Sequence, residues 1–250
     1  MNYYIKNHYC FDDSLVQYGD GVFETMLAVG SGIHHWPYHW TRLKNSCERL
    51  EITVPDEAAL IQQLHTALAI QNNQFSLVKM IVARGQGLRG YRSLPEQPCT
   101  VQFNVAPYTF AASMYQGLRV RICQTRLRRE AADTQFDEGL LLDYDSHLIE
   151  GLISNVFLIN NQQITTPALK TAGVAGTMRA YLLDSLPNQG YTVNIQALTL
   201  TDIASADAVF LTNASGGVMP VKSIQGIAKS FELAPAQTIR HLTEHPCSCV

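Results

Sequence analysis

Residues 148–186, LIEGLISNVFLINNQQITTPALKTAGVAGTMRAYLLDSL, carry the pattern that decides the fold. Residues 154–159 and 163–165 read as short strands, divided by the turn pair Asn160-Asn161. Residues 177–186 read as a helix, and Gly173 and Gly176 stand just ahead of it. A helix opened by glycines presents free N–H groups and the positive dipole end to an anion, and Thr177 adds a hydroxyl donor. Glu150 is an acid set between apolar strands, and a buried carboxylate needs a partner such as a pyridinium nitrogen. Taken singly, a capped helix start and a strand end are the plain readings of these two features.

Outward from this stretch the pattern divides into two halves. Upstream, residues 22–29, 75–83 and 100–106 read as strands, while residues 40–50 and 57–71 have the spacing of amphipathic helices. The second helix stops at Asn72-Asn73, and residues 84–91 form a glycine-rich loop. From about residue 117 the chain turns to many short strands: 118–124, 139–143, the pair already quoted, 192–197 and 208–212. The expected organisation is an α+β lobe over residues 1–108 and a larger lobe over 109–250 rich in short strands. A ligand pocket is expected where the lobes meet.

Composition narrows the function. The chain has 250 residues, 46% hydrophobic and 16% charged, with no apolar run of the roughly 18 residues that cross a membrane. The net charge of −3 includes no basic stripe, so nucleic acid is a poor partner and a small molecule a better one. No secretory signal is visible at the first ten residues, and the expected compartment is the cytoplasm. Six cysteines lack the paired spacing of a zinc site and read as reduced thiols; no metal is expected, and Cys247 and Cys249 near the C-terminus are weak ligand candidates. Only six residues are lysines: Lys6, Lys44, Lys79, Lys170, Lys222 and Lys229.

Two more segments suggest anion binding. Arg42, in HWTRL on a predicted helix, can offer a guanidinium fork to phosphate, although a surface arginine is the plain reading. LTNASGGVMP, residues 211–220, is a strand ending in small polar residues whose backbone can approach a ligand.

These segments stand in a series: YGDGVFET (18–25), HWTRLKNSCERLEI (39–52), ARGQGLRGY (83–91), DEGLLLD (137–143), EGLISNVFL (150–158), TPALKTAGVAGTMR (166–179) and FLTNASGGVMPV (210–221). In that order they resemble the blocks of fold-type IV pyridoxal-phosphate enzymes, the class of branched-chain and D-amino-acid aminotransferases and of aminodeoxychorismate lyases. ARGQGLRGY and TNASGGVMPV most resemble the lyase branch, which makes p-aminobenzoate and pyruvate for folate. The resemblance implies a D-amino-acid aminotransferase-like α+β fold, pyridoxal 5'-phosphate as cofactor and a homodimer. It implies that Arg42 binds the cofactor phosphate, that Glu150 keeps the pyridine nitrogen protonated, and that Val174, Gly176, Thr177 and Met178 form the phosphate cup. Asn213 and Ala214 match a second phosphate-binding turn. Arg89 is the candidate for a substrate carboxylate, with Arg84 second. An aminotransferase of D- or branched-chain amino acids is the alternative within the class, and an inactive cofactor-binding protein the alternative outside it.

The series departs from the family at one point. The class relies on a lysine that forms a Schiff base with the cofactor and then moves protons, and the resemblance places it ahead of DEGLLLD. Here VRICQTRL (120–127) runs through RREAADTQF into Asp137, so on the order of twenty residues are absent by ordinary loop and helix lengths, and no lysine lies between Lys79 and Lys170. Alternation with Val78 and Met80 places Lys79 on a strand, and the resemblance allows a lysine there that is not the Schiff-base residue. Lys170, near the 173–176 glycines, is a weak substitute.

Overall fold

The computed structural model describes residues 13–85, 98–127, 130, 134–243 and 245–246, together with the backbone of residues 3–5. The chain divides into two compact units, Met1–Thr109 and Phe110–Val250.

The first unit is a five-stranded sheet in the order β1-β5-β4-β2-β3, from β1 (Tyr3–Ile5), β2 (Gly21–Val29), β3 (Gly32–Ile33), β4 (Phe75–Ala83) and β5 (Cys99–Pro107). Strands β2 and β4 pair antiparallel from Gly21 opposite Ala83 to Val29 opposite Phe75. Alternation fixes which face is buried. Met26, Ala28, Val78, Met80 and Val82 join the core with Leu43 and Cys47 of α2 (Trp36–Arg49) and Leu60, Leu64 and Leu68 of α3 (Glu57–Gln71). The three leucines recur every fourth residue, which puts them on one face. Asp56 caps α3 by accepting from the Ala59 N–H at 2.8 Å, and Asn72 ends it in the left-handed region at φ 49°. The opposite face of β2 and β4 carries Phe23, Thr25, Lys79 and Ile81, in the cross-strand pairs Phe23–Ile81 and Thr25–Lys79. Helix α2 starts four residues before the expected 40–50, because Pro37 is tolerated in a first helical turn that needs no N–H from it. A short α1 (Ser14–Tyr18) precedes β2.

The second unit is an eight-stranded mixed sheet in the order β11-β10-β9-β12-β13-β6-β7-β8. Its strands are β6 (Leu118–Ile122), β7 (Glu138–Leu142), β8 (Leu148–Gly151), β9 (Asn155–Asn160), β10 (Gln163–Pro167), β11 (Thr192–Gln196), β12 (Ala208–Asn213) and β13 (Gly217–Ile224). Helices α4 (Thr177–Ser185) and α6 (Ala234–Leu242) bring Met178, Leu182, Ala236 and Ile239 into one cluster with Phe157, Ile164 and Phe210. The two phenylalanine rings stack 4.9 Å apart with their planes 3° from parallel. Three features go beyond the sequence expectation. Glu150 lies within a strand, β8, rather than at a strand end. Residues 217–224 are a full strand paired to β12, where only a small-residue turn was expected. Helices α5 (Leu200–Ser205) and α6 were not expected from the sequence, and α5 is set by a capping box between Thr199 and Asp202.

Parallel neighbours need a crossover of a dozen or more residues, usually a helix. Strands β6 and β7 are such neighbours, yet among the described residues of 123–137 there is no helix. Instead the chain continues beside β7, with Cys123 N–H donating to Leu140 O at 2.9 Å and Leu127 N–H to Leu142 O at 3.1 Å. It rejoins the sheet where the Asp137 N–H donates to Arg119 O at 2.8 Å. Glu130 holds the detour by accepting from the Thr125 N–H at 2.6 Å and pairing with Arg121. These contacts, first the Thr125 amide and then Arg121, hold its carboxyl down to about 2.

Among the described residues no helix is long and apolar enough to cross a membrane. Burial drives the Cys47 and Cys99 thiols up to about 12 and about 11, so both act as core hydrophobes; Cys247 and Cys249 lie outside the described residues. Phe157 is fully buried in the stacked pair, and Phe157→Ala is expected to lower the unfolding free energy by about 4 kcal/mol, read from the denaturant midpoint followed by circular dichroism.

Candidate functional site

In the second unit, Glu150 on β8 is 5% exposed. Its Oε2 accepts from the Val174 N–H at 2.8 Å, and the Asn155 Nδ2 lies 3.5 Å away. Asn155, the first residue of β9, also donates from Nδ2 to the Val174 carbonyl at 2.8 Å. One carboxylate and one amide therefore fix the loop that leads into α4. Gly173 turns that loop at φ 101°, where a side chain would be strained and a Cβ would come within 2.6 Å of Leu169. Gly176 sits tighter still, since a Cβ there would fall 2.1 Å from Asn155 Oδ1.

This loop delivers an uncapped helix start. No side chain caps α4 at Gly176, and the first intrahelical bond runs from Ala180 N–H to Gly176 O at 2.9 Å. The N–H groups of Thr177, Met178 and Arg179 thus have no partner within the helix. With the dipole behind them and the Thr177 hydroxyl beside them, they can receive a phosphate. The Val174 N–H is engaged by Glu150, so its part is to tether the loop. Arg179 is buried and turned away from this end: its Nη2 donates to Pro167 O at 3.0 Å and its Nε lies 3.4 Å from Thr166 Oγ1.

The turn between β12 and β13 is closed by Asn213. Its Oδ1 accepts from the Gly216 N–H at 2.7 Å, the Ser215 N–H at 3.2 Å and the Ser215 hydroxyl at 3.1 Å. Its Nδ2 donates to Ile153 O at 3.4 Å, on the turn joining β8 to β9. The Ala214 carbonyl faces His245 Nε2 at 3.1 Å. The β8–β9 turn is itself held by Glu138, which accepts from the Leu152 N–H at 2.9 Å and the Ser154 hydroxyl at 3.0 Å. The small residues of 213–216 thus serve an ordered turn linked back toward Glu150 and Asn155.

In the first unit, Arg42 projects from α2 and makes a two-point contact with Glu24 of β2, Nε to Oε1 at 2.7 Å and Nη2 to Oε2 at 2.5 Å. His39 Nδ1 lies 2.6 Å from Glu24 Oε2. Burial works to raise the Glu24 pKa, but the contacts with His39 and Arg42 outweigh it and hold the carboxyl below its ordinary value. Arg42 keeps 25% of its side chain exposed. Sequence reasoning missed Glu24 and His39; their signal is an acid at an inward position of an otherwise apolar strand.

Arg84, a candidate for a substrate carboxylate, has its fork engaged elsewhere. It holds Asp20 from Nε and Nη2 at 2.7 and 3.2 Å. It also donates to the carbonyls of Glu51 and Leu50, each at 2.6 Å, satisfying the orphan end of α2. Arg89 lies outside the described residues. Lys170 is exposed. Among the described residues one group could offer several metal ligands, Asp143, Asp145 and His147; Asp143 Oδ1 there accepts from the amides of Asp145 and His147 at 3.0 and 2.8 Å, as an ordinary turn does.

Known proteins were compared with the chain as a whole. It is 29% identical to the aminodeoxychorismate lyase of Vibrio harveyi over 259 aligned positions that cover 95% of each chain. Those positions outnumber the 250 residues here, so part of that lyase has no counterpart in this chain. A putative branched-chain-amino-acid aminotransferase of Methanocaldococcus jannaschii is 25% identical over 240 residues, covering 86% of this chain and 82% of the other. The solved structure of 4-amino-4-deoxychorismate lyase from Pseudomonas aeruginosa superposes with a TM-score of 0.84 at 30% identity, covering 94% of this chain and 95% of that one. The model of amino-transferase class IV matches residues 21–224, a span that takes in Glu24, Arg42, Glu150, the α4 entry and the Asn213 turn. With its anion-ready helix and buried carboxylate held in that matched span, the chain belongs to the amino-transferase class IV family.

Proposed function

We propose that this chain is an aminodeoxychorismate lyase, converting 4-amino-4-deoxychorismate to p-aminobenzoate and pyruvate with pyridoxal 5'-phosphate. The observation that carries the proposal is the likeness to the Vibrio harveyi lyase over 95% of both chains, against 86% and 82% for the aminotransferase. The donor set fits the cofactor: a buried carboxylate and an uncapped helix start are fixed by the same loop.

When bound, the cofactor supplies an electron sink for bond cleavage in the substrate. Glu150 would accept a hydrogen bond from the pyridine N–H and so keep that proton in place. The amides of Thr177, Met178 and Arg179 and the Thr177 hydroxyl hold phosphate oxygens, with Gly176 allowing the close approach. The Asn213–Ala214 turn would give a second boundary to the phosphate, and Arg42, held by Glu24 in the first unit, is assigned to a phosphate only by its place in the motif series. Arg89 is assigned to a substrate carboxylate. The proposal extends to a cytoplasmic homodimer, which sedimentation of the purified protein tests.

The deciding assay supplies 4-amino-4-deoxychorismate and follows both products. The expected result is one pyruvate for each p-aminobenzoate, with no amino group passed to an added 2-oxo acid. Amino transfer without pyruvate would instead establish the aminotransferase alternative, and bound cofactor with neither reaction the inactive one. Glu150→Gln keeps an acceptor for the Val174 amide but removes the charge facing the pyridine. It is expected to retain cofactor while losing about 100-fold in turnover.

Glu24 couples the site to pH. Because its folded pKa lies below the ordinary value of 4.5, its contribution to stability is complete above that value and is lost as pH falls through the folded pKa. Glu24→Gln is expected to cost about 3 kcal/mol at pH 7 and to flatten the acid limb of a melting-temperature profile between pH 7 and pH 2. A variant with an unchanged acid limb would show that the ion pair contributes nothing.

A further inference from the structure

We propose that His245 and Tyr115 are positioning residues for the cofactor phosphate, acting by holding the backbone of the β12–β13 turn. The inference rests on the cofactor reading above and concerns residues of the second unit alone.

The turn is pinned from behind at its carbonyls. Ala214 O meets His245 Nε2 at 3.1 Å, and a carbonyl can only accept, so this ring nitrogen carries the proton and donates it. Tyr115, at the end of the 3-10 turn Ala112–Tyr115, donates its hydroxyl to Gly216 O at 3.3 Å. The Thr212 hydroxyl donates to Gly217 O at 2.7 Å. The amides of Ser215 and Gly216 are already directed to Asn213 Oδ1. The Ala214 N–H engages no described residue, so it is the amide of this turn left to meet an anion. A peptide unit is planar. The plane that joins Ala214 to Ser215 is held at its oxygen by His245 and at its N–H by Asn213. Only the two backbone dihedrals of Ala214 separate that plane from the one carrying the Ala214 N–H.

His245 is 1% exposed and Tyr115 5%, so a ligand arriving from solvent meets the turn and the two side chains act through it. The end of α6 sets where they stand. The Arg240 guanidinium lies 3.9 Å over the Tyr115 ring, and the Phe110 ring meets the His245 ring edge-on at 6.1 Å. The Thr243 hydroxyl donates to Arg240 O at 2.7 Å. The Thr243 carbonyl in turn accepts from the Tyr181 hydroxyl of α4 at 3.0 Å. Residues 240–245 therefore join α4, whose first amides are assigned to the phosphate, to the turn that presents Ala214. Gly216 has no room to adjust, since a Cβ there would lie 2.8 Å from Met219 Sδ and 3.0 Å from Met114 Cε. Two sets of donors that share one phosphate must keep their spacing to about 0.5 Å, and this bracing supplies that constraint.

The test is equilibrium dialysis of the full chain against pyridoxal 5'-phosphate and, separately, pyridoxal, read as the ratio of the two dissociation constants. His245→Met fills similar space without an N–H donor. It is expected to weaken binding of the phosphorylated form about fivefold and to leave pyridoxal unchanged. His245→Gln restores an N–H donor and is expected to recover the wild-type ratio. Tyr115→Phe removes a hydroxyl and no packing, so it tests the same brace even where His245→Met fails to fold, with an expected loss of about threefold in the ratio. An unchanged ratio in either His245→Met or Tyr115→Phe would overturn the assignment while leaving the cofactor reading standing. Equal weakening of both ligands would also overturn it, because a general loosening of the unit does not single out the phosphate. If the wild-type chain itself shows no preference for the phosphorylated form, the cofactor reading fails and the assignment with it.

Discussion

The site in the second unit depends on one buried carboxylate. At 5% exposure the Glu150 carboxylate needs donors around it, and one of them comes from the loop ahead of α4. The Val174 amide reaches it directly at 2.8 Å, and Asn155 bridges it to the Val174 carbonyl. Satisfying the acid therefore fixes the path of residues 173–176. That path requires glycine twice, once for its positive φ and once to clear the Asn155 amide. The uncapped start of α4 follows from the same geometry, since a loop pinned from behind by Glu150 leaves no side chain at the cap position. A helix that ordinary folding would cap is left open, which costs stability unless an anion occupies it.

Support for this arrangement comes from farther away. Glu138 on β7 gathers the amides of the β8–β9 turn, and that turn receives Asn213 from the β12–β13 turn. Side-chain hydrogen bonds thus connect strand β7 and two strand junctions on one sheet. In the first unit a second buried acid, Glu24, plays a similar part by orienting Arg42 while His39 shares the charge. In both units a carboxylate on a sheet strand fixes a donor-bearing group, the Arg42 guanidinium in one and the loop ahead of α4 in the other.

Much of this was legible in the sequence because its causes are local. The leucine spacing of α3, the alternation of β4 and the glycines ahead of α4 are short-range signals, and each appears in the structure where expected. The fold class and the family also followed from motif order. What was hidden depends on distant partners. Arg84 had the right chemistry for a carboxylate, but its ligands, Asp20 and the end of α2, are far away in sequence. Asn155 gave only a polar residue before an apolar strand, and its role emerges when Val174 is brought beside it. Glu24 and His39 lie fifteen positions apart, at no helical or strand period. Helix α5 was missed because a capping box, rather than a long apolar stripe, defines it, and α6 was missed although its apolar residues share one face.

The short β6–β7 connection stands apart from the Glu150 network. Among the described residues of that connection there is no helix, and Cys123, Leu127 and Asp137 keep their backbone hydrogen bonds. The sheet order and the Glu150 network are both in place with this connection. The central claim is that this network keeps a phosphate-selective cradle. The most direct measurement is calorimetric titration of the chain with pyridoxal 5'-phosphate and, separately, with pyridoxal, which lacks the phosphate. The account predicts one site per chain with at least about tenfold preference for the phosphorylated form, as a few charge-assisted hydrogen bonds supply. Equal affinity for the two, or binding of neither, would contradict it.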